Sequence, residues 1–279
     1  MAIMSMICIY HGNCADGFGA AWVVRKAFGA DVEFYPGVYQ TSPPDVTGKD
    51  VLLVDFSYKR PVLLEMAKCA RSVMIIDHHK TAEADLIDLP ENVTTIFDQS
   101  HSGAVLTWMT FFVDSPPPEL LLHIEDRDLW KFLLPGTKEV LANVFLFPYS
   151  FEVWDRLMGM PIESLISDGK AIERKHFKDI EELLKIVTRE MDIGGHRVPV
   201  ANLPYTMASD AGHELSKGRP FAACYWDTPE GRMFSLRSNE NGLDVSEVAK
   251  QYGGGGHKHA AGFRLGYADA FIIGGQNNA

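Results

Sequence analysis

Cysteine is scarce: four residues in 279, Cys8, Cys14, Cys69 and Cys224, with no C-x-x-C pair among them. That excludes a disulfide framework and a cysteine-based zinc knuckle. Long apolar runs are lacking too, and none approaches the roughly 18 residues that a membrane-crossing helix needs. The opening stretch, Met1–Tyr10, is apolar but has no basic leader and no small-residue cleavage site. It reads as a first strand rather than a secretory signal, and cytoplasm is the expected location. Basic charge is in deficit as well, with 26 Lys and Arg against 37 Asp and Glu and a net charge of −11. A groove for long nucleic acid is paved with Lys and Arg, because phosphate neutralisation supplies most of its affinity. Tight binding of long duplex DNA or RNA is therefore not expected. Small phosphate-bearing ligands stay open, since a bound divalent cation supplies positive charge locally.

What is present suits a globular protein large enough for one big domain or two modest ones. The first half alternates strand and helix signals. Met6–Tyr10 reads as a strand, Gly19–Phe28 as a helix stopped by Gly29, and Val32–Tyr35 as a second strand. Val51–Val54 and Val73–Ile76 are buried-strand runs. Between them Pro61–Ala70 reads as a helix with Ser57 as its N-cap. Ser102–Val113 returns to helix before the break at Pro116–Pro118. Such alternation predicts an α/β fold with a doubly wound parallel sheet. From Glu163 to Met191, apolar residues at Ile172, Phe177, Ile180, Leu184 and Val187 keep helical spacing and predict a long bridging helix. Strand signals resume at Val198–Leu203, Phe221–Trp226 and Met233–Arg237, and a helix at Val245–Gln251 runs into Gly253–Gly256. The expected organisation is a first α/β domain over 1–145, a helical linker over 146–194 and a smaller α+β domain over 195–279.

Three places share one geometry. His11 follows the first strand, Asp55 follows Val51–Val54, and Asp77-His78-His79 follows Val73–Ile76. In a parallel sheet the carboxyl ends of the strands lie along one edge, where ligands bind. A lone His or Asp after a strand is usually a surface or capping residue; three such strand ends in one chain point to a metal site. Asp16, in the first loop, adds a further oxygen donor. Nitrogen and oxygen ligands without thiolate suit Mn²⁺, Mg²⁺ or Fe²⁺ better than structural zinc.

The tripeptide Asp77-His78-His79 is the signature of the DHH family of phosphoesterases, and nearly the whole chain resembles a member with the DHH-associated C-terminal domain. His11…Asp16-Gly17 resembles the family's first motif, Asp55 its second, and Asp126 within Glu125-Asp126-Arg127-Asp128-Leu129-Trp130 its fourth. Gly253-Gly254-Gly255-Gly256-His257, followed by Ala260-Ala261-Gly262-Phe263, resembles the glycine-rich motif of the associated domain, with Ser235-Leu236-Arg237-Ser238 as its upstream arginine strand.

The resemblance implies a Mn²⁺-dependent hydrolase with a two-metal site; Mg²⁺ is the alternative cation. Asp55 would bridge the metals, His11 would serve the first, and His78 and Asp126 the second, with Asp16 near both. Asp77 would orient the imidazoles and His79 would face the substrate phosphate. Arg127 and Asp128 are the alternatives to Asp126 in the fourth motif's role. Cys14 departs from the family pattern, since it stands where an acid is usual, and a thiol is a poorer ligand for a hard cation. Gly254, Gly255 and Gly256 would expose backbone donors, while His257 and Arg237 would hold a terminal phosphate in a cleft between the domains. The expected substrates are small nucleotides or short single-stranded oligonucleotides, among them dinucleotides, nano-RNA and 3′-phosphoadenosine 5′-phosphate. The competing readings are a polyphosphatase or pyrophosphatase of the same family, and a catalytically weak nucleotide-binding regulator.

Overall fold

The computed structural model describes residues 5–39 and 41–274, which fall into two compact units, Met1–Glu173 and Arg174–Ala279. The first runs β1 (Met6–His11), α1 (Ala15–Phe28), β2 (Glu33–Gly37), β3 (Asp50–Val54), α2 (Arg60–Cys69), β4 (Ser72–Asp77), α3 (Lys80–Asp85) and β5 (Val93–Phe97). Four helices follow, α4 (Gly103–Phe111), α5 (Glu119–Asp128), α6 (Thr137–Val144) and α7 (Phe151–Met158), and then the long α8 (Ile162–Val187), within which the division between units falls.

The five strands pair in the order β2-β1-β3-β4-β5, with every pairing parallel. Because side chains alternate across a strand, each apolar run buries both faces. Cys8, Leu52, Val54 and Ile76 meet Trp22 and Val23 of α1, Leu106 of α4 and Leu121 of α5. Ile7, Ile9, Val51, Leu53 and Ile75 turn the other way and meet Leu63 and Met66 of α2. Helices thus cover both faces, as the doubly wound reading requires. β2 closes one edge. Its Pro36 is paired with Tyr10, and the Gly12 amide donates to the Gly37 carbonyl beside it at 2.8 Å.

Two local expectations need correction. Ser57 does not cap α2; the N-cap position is Lys59, which offers no capping bond, and the Arg60 amide donates instead to Asp85 at 2.9 Å. The bridging helix ends at Val187, because the next six residues form a strand in which Met191 and Ile193 alternate inward.

The second unit continues with β6 (Thr188–Ile193), β7 (His196–Asn202), α9 (Tyr205–Leu215), β8 (Ala222–Thr228), β9 (Gly231–Arg237), α10 (Val245–Lys250), β10 (Gly255–Gly256), β11 (Ala260–Leu265) and α11 (Tyr267–Gly274). Its six-stranded sheet has the order β10-β11-β9-β8-β7-β6. The β7–β8 pairing is parallel and the others are antiparallel, which makes this an α+β unit around Val198, Val200, Phe221, Phe234, Leu236 and Phe263. Among the described residues, no helix is long and apolar enough to cross a membrane.

Candidate metal centre

The carboxyl ends of β1, β3 and β4 bring His11, Asp55 and Asp77-His78-His79 to one sheet edge. Asp55 sits at the centre, 1% exposed and in the left-handed region at φ +54°. A non-glycine residue held there is strained, and such strain persists only where surrounding contacts fix the backbone. Here the Asp55 amide donates to Ile76 of β4 at 2.9 Å. On the other side Gly103 approaches so closely that a Cβ on it would lie 2.4 Å from the Asp55 Cβ. Gly17 has the same function for β1: a Cβ there would lie 2.2 Å from the His11 carbonyl oxygen.

Two clusters of ligand-type atoms flank Asp55. His11, Asp55 and His79 form one, and Asp16, His78 and Asp128 the other, each with its atoms within 4.8 Å of one another. One Asp55 oxygen lies 3.4 Å from His11 Nδ1, and the other lies 3.2 Å from His78 Nε2. Around that same His78 nitrogen, Asp128 stands at 3.5 Å and Asp16 at 3.7 Å. Neither Asp55 oxygen receives a hydrogen bond although both are buried. A buried carboxylate without donors is costly. Donors converging on it at these spacings fit divalent cations, and the imidazole and carboxylate atoms are the right chemistry for them.

The neighbouring groups hold this arrangement in place. Asp16, in the first turn of α1, accepts the Gly103 amide at 2.6 Å and the Ala104 amide at 3.0 Å, so it closes the N-terminus of α4 beside the Ser102 cap. Asp77, fully buried, accepts the His78 amide at 2.8 Å and pairs with His79 Nδ1 at 2.7 Å. That contact fixes the orientation of the His79 ring.

The electrostatics follow from the crowding. Burial, then the charges of Asp55 and Asp128, push the Asp16 pKa well above the usual carboxylate range. Burial raises Asp128 as well, against the pull of His78. Burial opposes charge on Asp55 and on its two histidine partners, but their mutual pairing outweighs it. Asp55 is held low, while His11 and His78 are held high. The Cys14 thiol, beside His11, is raised by burial against the pull of that imidazole, so a neutral thiol occupies the place next to the first cluster.

Asp126, read from sequence as a ligand, is not brought into either cluster. Its carboxylate accepts the Leu133 amide at 2.7 Å, the Leu134 amide at 3.0 Å and the Thr137 hydroxyl at 2.5 Å. It organises the loop after α5, where Trp130 and Phe132 both have positive φ. Along one helical turn Glu125 binds the Ser102 amide at 2.9 Å, Asp126 binds the loop, and Asp128 reaches His78. Nothing in Glu125-Asp126-Arg127-Asp128 separates these carboxylates by spacing alone. Gly103 and Gly17 also escaped assignment as site residues, although Gly103 beside the Ser102 cap was a visible marker of a close approach.

The remaining predicted residues lie in the second unit. Arg237, at the end of β9, donates to Ser209 Oγ at 2.6 Å, Ser235 Oγ at 2.9 Å and the Leu236 carbonyl at 2.8 Å. The Gly254 amide donates to Ala249 at 2.9 Å and the Gly253 amide to Lys250 at 3.0 Å. Gly255 and Gly256 pair with Gly262 and Ala261 of β11, and the His257 amide closes the hairpin onto Ala260 at 2.8 Å. A Cβ on Gly254 would lie 2.1 Å from the Gly262 carbonyl oxygen. The glycine run is thus required by strand packing, with two of its amides already bonded inside the unit.

No family model matches the chain. An uncharacterized protein, R106, of Acanthamoeba polyphaga mimivirus is 32% identical over 92% of the chain; the chain spans 66% of that relative's length. Oligoribonuclease NrnB of Bacillus subtilis strain 168 is 26% identical over 95% of the chain and 76% of its own length. Among solved structures, RecJ of Thermus thermophilus in complex with Mn²⁺ aligns with a TM-score of 0.53 at 14% identity, covering 95% of this chain and 50% of RecJ. With a parallel sheet that brings Asp77-His78-His79 and Asp55 to one edge, a mixed C-terminal sheet and this similarity to NrnB and RecJ, the chain has the fold of the DHH-family phosphoesterases.

Proposed function

We propose that the chain is a Mn²⁺-dependent phosphodiesterase acting on short single-stranded oligonucleotides, from dinucleotides to about pentanucleotides in length. The reading rests on one observation above the others: the buried Asp55 carboxylate, without a hydrogen-bond donor, between two imidazole and carboxylate clusters. Asp16, Asp55, His78 and Asp128 would hold one cation, with Asp128 in the place first given to Asp126. His11 and Asp55 would hold the other more weakly, because Cys14 stands where an acid is usual. When bound, such cations acidify water and neutralise phosphoryl oxygens as charge builds on them.

The chain's own residues set the geometry for that chemistry. Asp55 is fixed by its strained backbone between β4 and Gly103, so its two oxygens point to opposite clusters. Asp77 locks the His79 ring, which stands at the edge of the His11 cluster to meet the phosphate. Asp16 ties the first motif to the start of α4. The substrate class follows the oligoribonuclease NrnB, and Mn²⁺ follows the RecJ complex. A net charge of −11 leaves a long backbone little compensation for repulsion.

The test measures kcat/KM on single-stranded RNA and DNA from two to about twenty-four nucleotides, with polyphosphate and 3′-phosphoadenosine 5′-phosphate alongside, after chelation and Mn²⁺ restoration. Activity is expected to need Mn²⁺ and to fall steeply beyond about five nucleotides. A flat length profile would overturn the short-substrate reading. Preference for polyphosphate would favour a polyphosphatase, and full activity in excess chelator would remove the metal from the account.

A further inference from the structure

Tyr39 lies in the connection between β2 and β3, a segment in which the sequence marked no chemistry. Its ring stands edge-on to His11 at 5.2 Å between centroids and to His79 at 6.1 Å. On its other side it packs on Phe56, the residue after Asp55, at 4.8 Å. His11 and His79 are themselves 5.9 Å apart, so the tyrosine closes a triangle over the open side of the first cluster. The Thr41 hydroxyl donates to the Val38 carbonyl at 2.8 Å, which holds the backbone on either side of the ring.

Three features separate Tyr39 from an ordinary packing aromatic. It is 42% exposed, so the ring borders the solvent side of the site instead of the core. Among the described residues, no hydrogen bond engages its hydroxyl, while the neighbouring Thr41 hydroxyl is bonded. Finally, the Asp55 oxygens face His11 and His78. A phenol is a neutral donor at physiological pH. In a chain with so little positive charge, such a donor contacts an anion without adding a cation that would compete with metal for the carboxylates.

We propose that Tyr39 is a substrate-contacting residue whose phenol donates a hydrogen bond to a non-bridging oxygen of the phosphate bound beside His11 and His79. This rests on the phosphoesterase reading above. It commits to the phosphate as the acceptor, in preference to a nucleobase or sugar. A loss confined to nucleotide substrates would therefore count against it.

The experiment compares Tyr39→Phe with the unaltered full-length chain in three measurements. They are Mn²⁺ binding by calorimetry, inorganic phosphate binding to the Mn²⁺-loaded protein, and kcat/KM on both bis-p-nitrophenyl phosphate and a short oligoribonucleotide. Phenylalanine keeps the ring against His11 and Phe56 and removes only the hydroxyl. The expected result is unchanged Mn²⁺ affinity, with phosphate affinity and kcat/KM on both esters lowered about ten- to a hundredfold, the range for a lost hydrogen bond to a charged group. Values within about twofold of the unaltered chain would show that the ring only packs. A fall in Mn²⁺ affinity would make Tyr39 a shaping residue of the cluster, and would overturn the assignment too. If the unaltered chain cleaves no ester, the proposed function fails by itself, and the phosphate titration still decides the case for Tyr39.

Discussion

Two regions rich in polar and glycine residues behave in opposite ways. At the ends of β1, β3 and β4, the carboxylate of Asp55 is buried without a donor, and like charges crowd around one imidazole. At the end of β9 and the β10–β11 hairpin, Arg237 is held by two hydroxyls and a carbonyl, and glycine amides are spent on α10. Folding removes polar groups from water only where partners repay the cost. In the second region the named groups are held by partners already in place. The first buries carboxylates and imidazoles together, the donor chemistry that suits a divalent cation.

The largest expected effect is at Asp55. Asp55→Ala should lower turnover more than about a thousandfold, a barrier rise above about 4 kcal/mol. Mn²⁺ should also be lost, as read by elemental analysis after dialysis. Retained metal with full turnover would remove Asp55 from its central place.

The contrast recurs within one turn of α5. Asp128→Ala should abolish tight metal binding, while the metal-free protein keeps or gains thermal stability because a crowded negative charge is gone. Asp126→Ala should instead leave three donors in and after the loop without their acceptor and cost about 2–4 kcal/mol of stability. Thermal unfolding and Mn²⁺ titration on both variants check this, and the reverse pattern would restore Asp126 as the ligand.

Gly103→Ala sets two effects against each other. Alanine favours the helix by roughly 0.5–1 kcal/mol, but the added methyl collides with the Asp55 side chain and backbone, and overpacking of this kind costs about 1–3 kcal/mol. The collision should win. Lower stability and weaker Mn²⁺ binding are expected together, and a stabilised variant with unchanged metal affinity would break the argument.

The smallest effect belongs to the second region. Arg237→Ala should cost about 1–2 kcal/mol in thermal unfolding with no change in Mn²⁺ stoichiometry. Loss of metal on this substitution would erase the distinction between the two regions.

The strands that carry the centre were legible because each is a short apolar run ending in His or Asp, a pattern set by burial on both faces. β5 was not, since in Val93–Phe97 two adjacent threonines interrupt the apolar residues at a half-buried edge and leave no continuous run. Helices α6 and α7 were also unread; they are eight residues each, too short for periodicity to separate them from loop. In the site, His11, Asp16, Asp55 and His78 were named from strand ends and motif, and the structure brings them together. Asp126 and Asp128, two residues apart on one helix, differ by about 200° in direction, and only the packed structure shows which of them stands beside His78. Tyr39 had no local signal at all: its importance comes from a turn that returns the chain over His11.

Pro36 has a consequence for how copies of this protein meet. In a parallel strand a residue's amide and carbonyl point to the same side, and successive residues alternate. Since the Gly37 carbonyl faces β1, Pro36 faces away, toward the open border of the sheet. An imino acid there has no N–H to offer a visiting strand, and its ring keeps such a strand at a distance. The border beside the chemically active end is thereby guarded against edge-to-edge stacking. Replacing Pro36 with valine would remove that guard and should show first as concentration-dependent light scattering, before any change in catalysis.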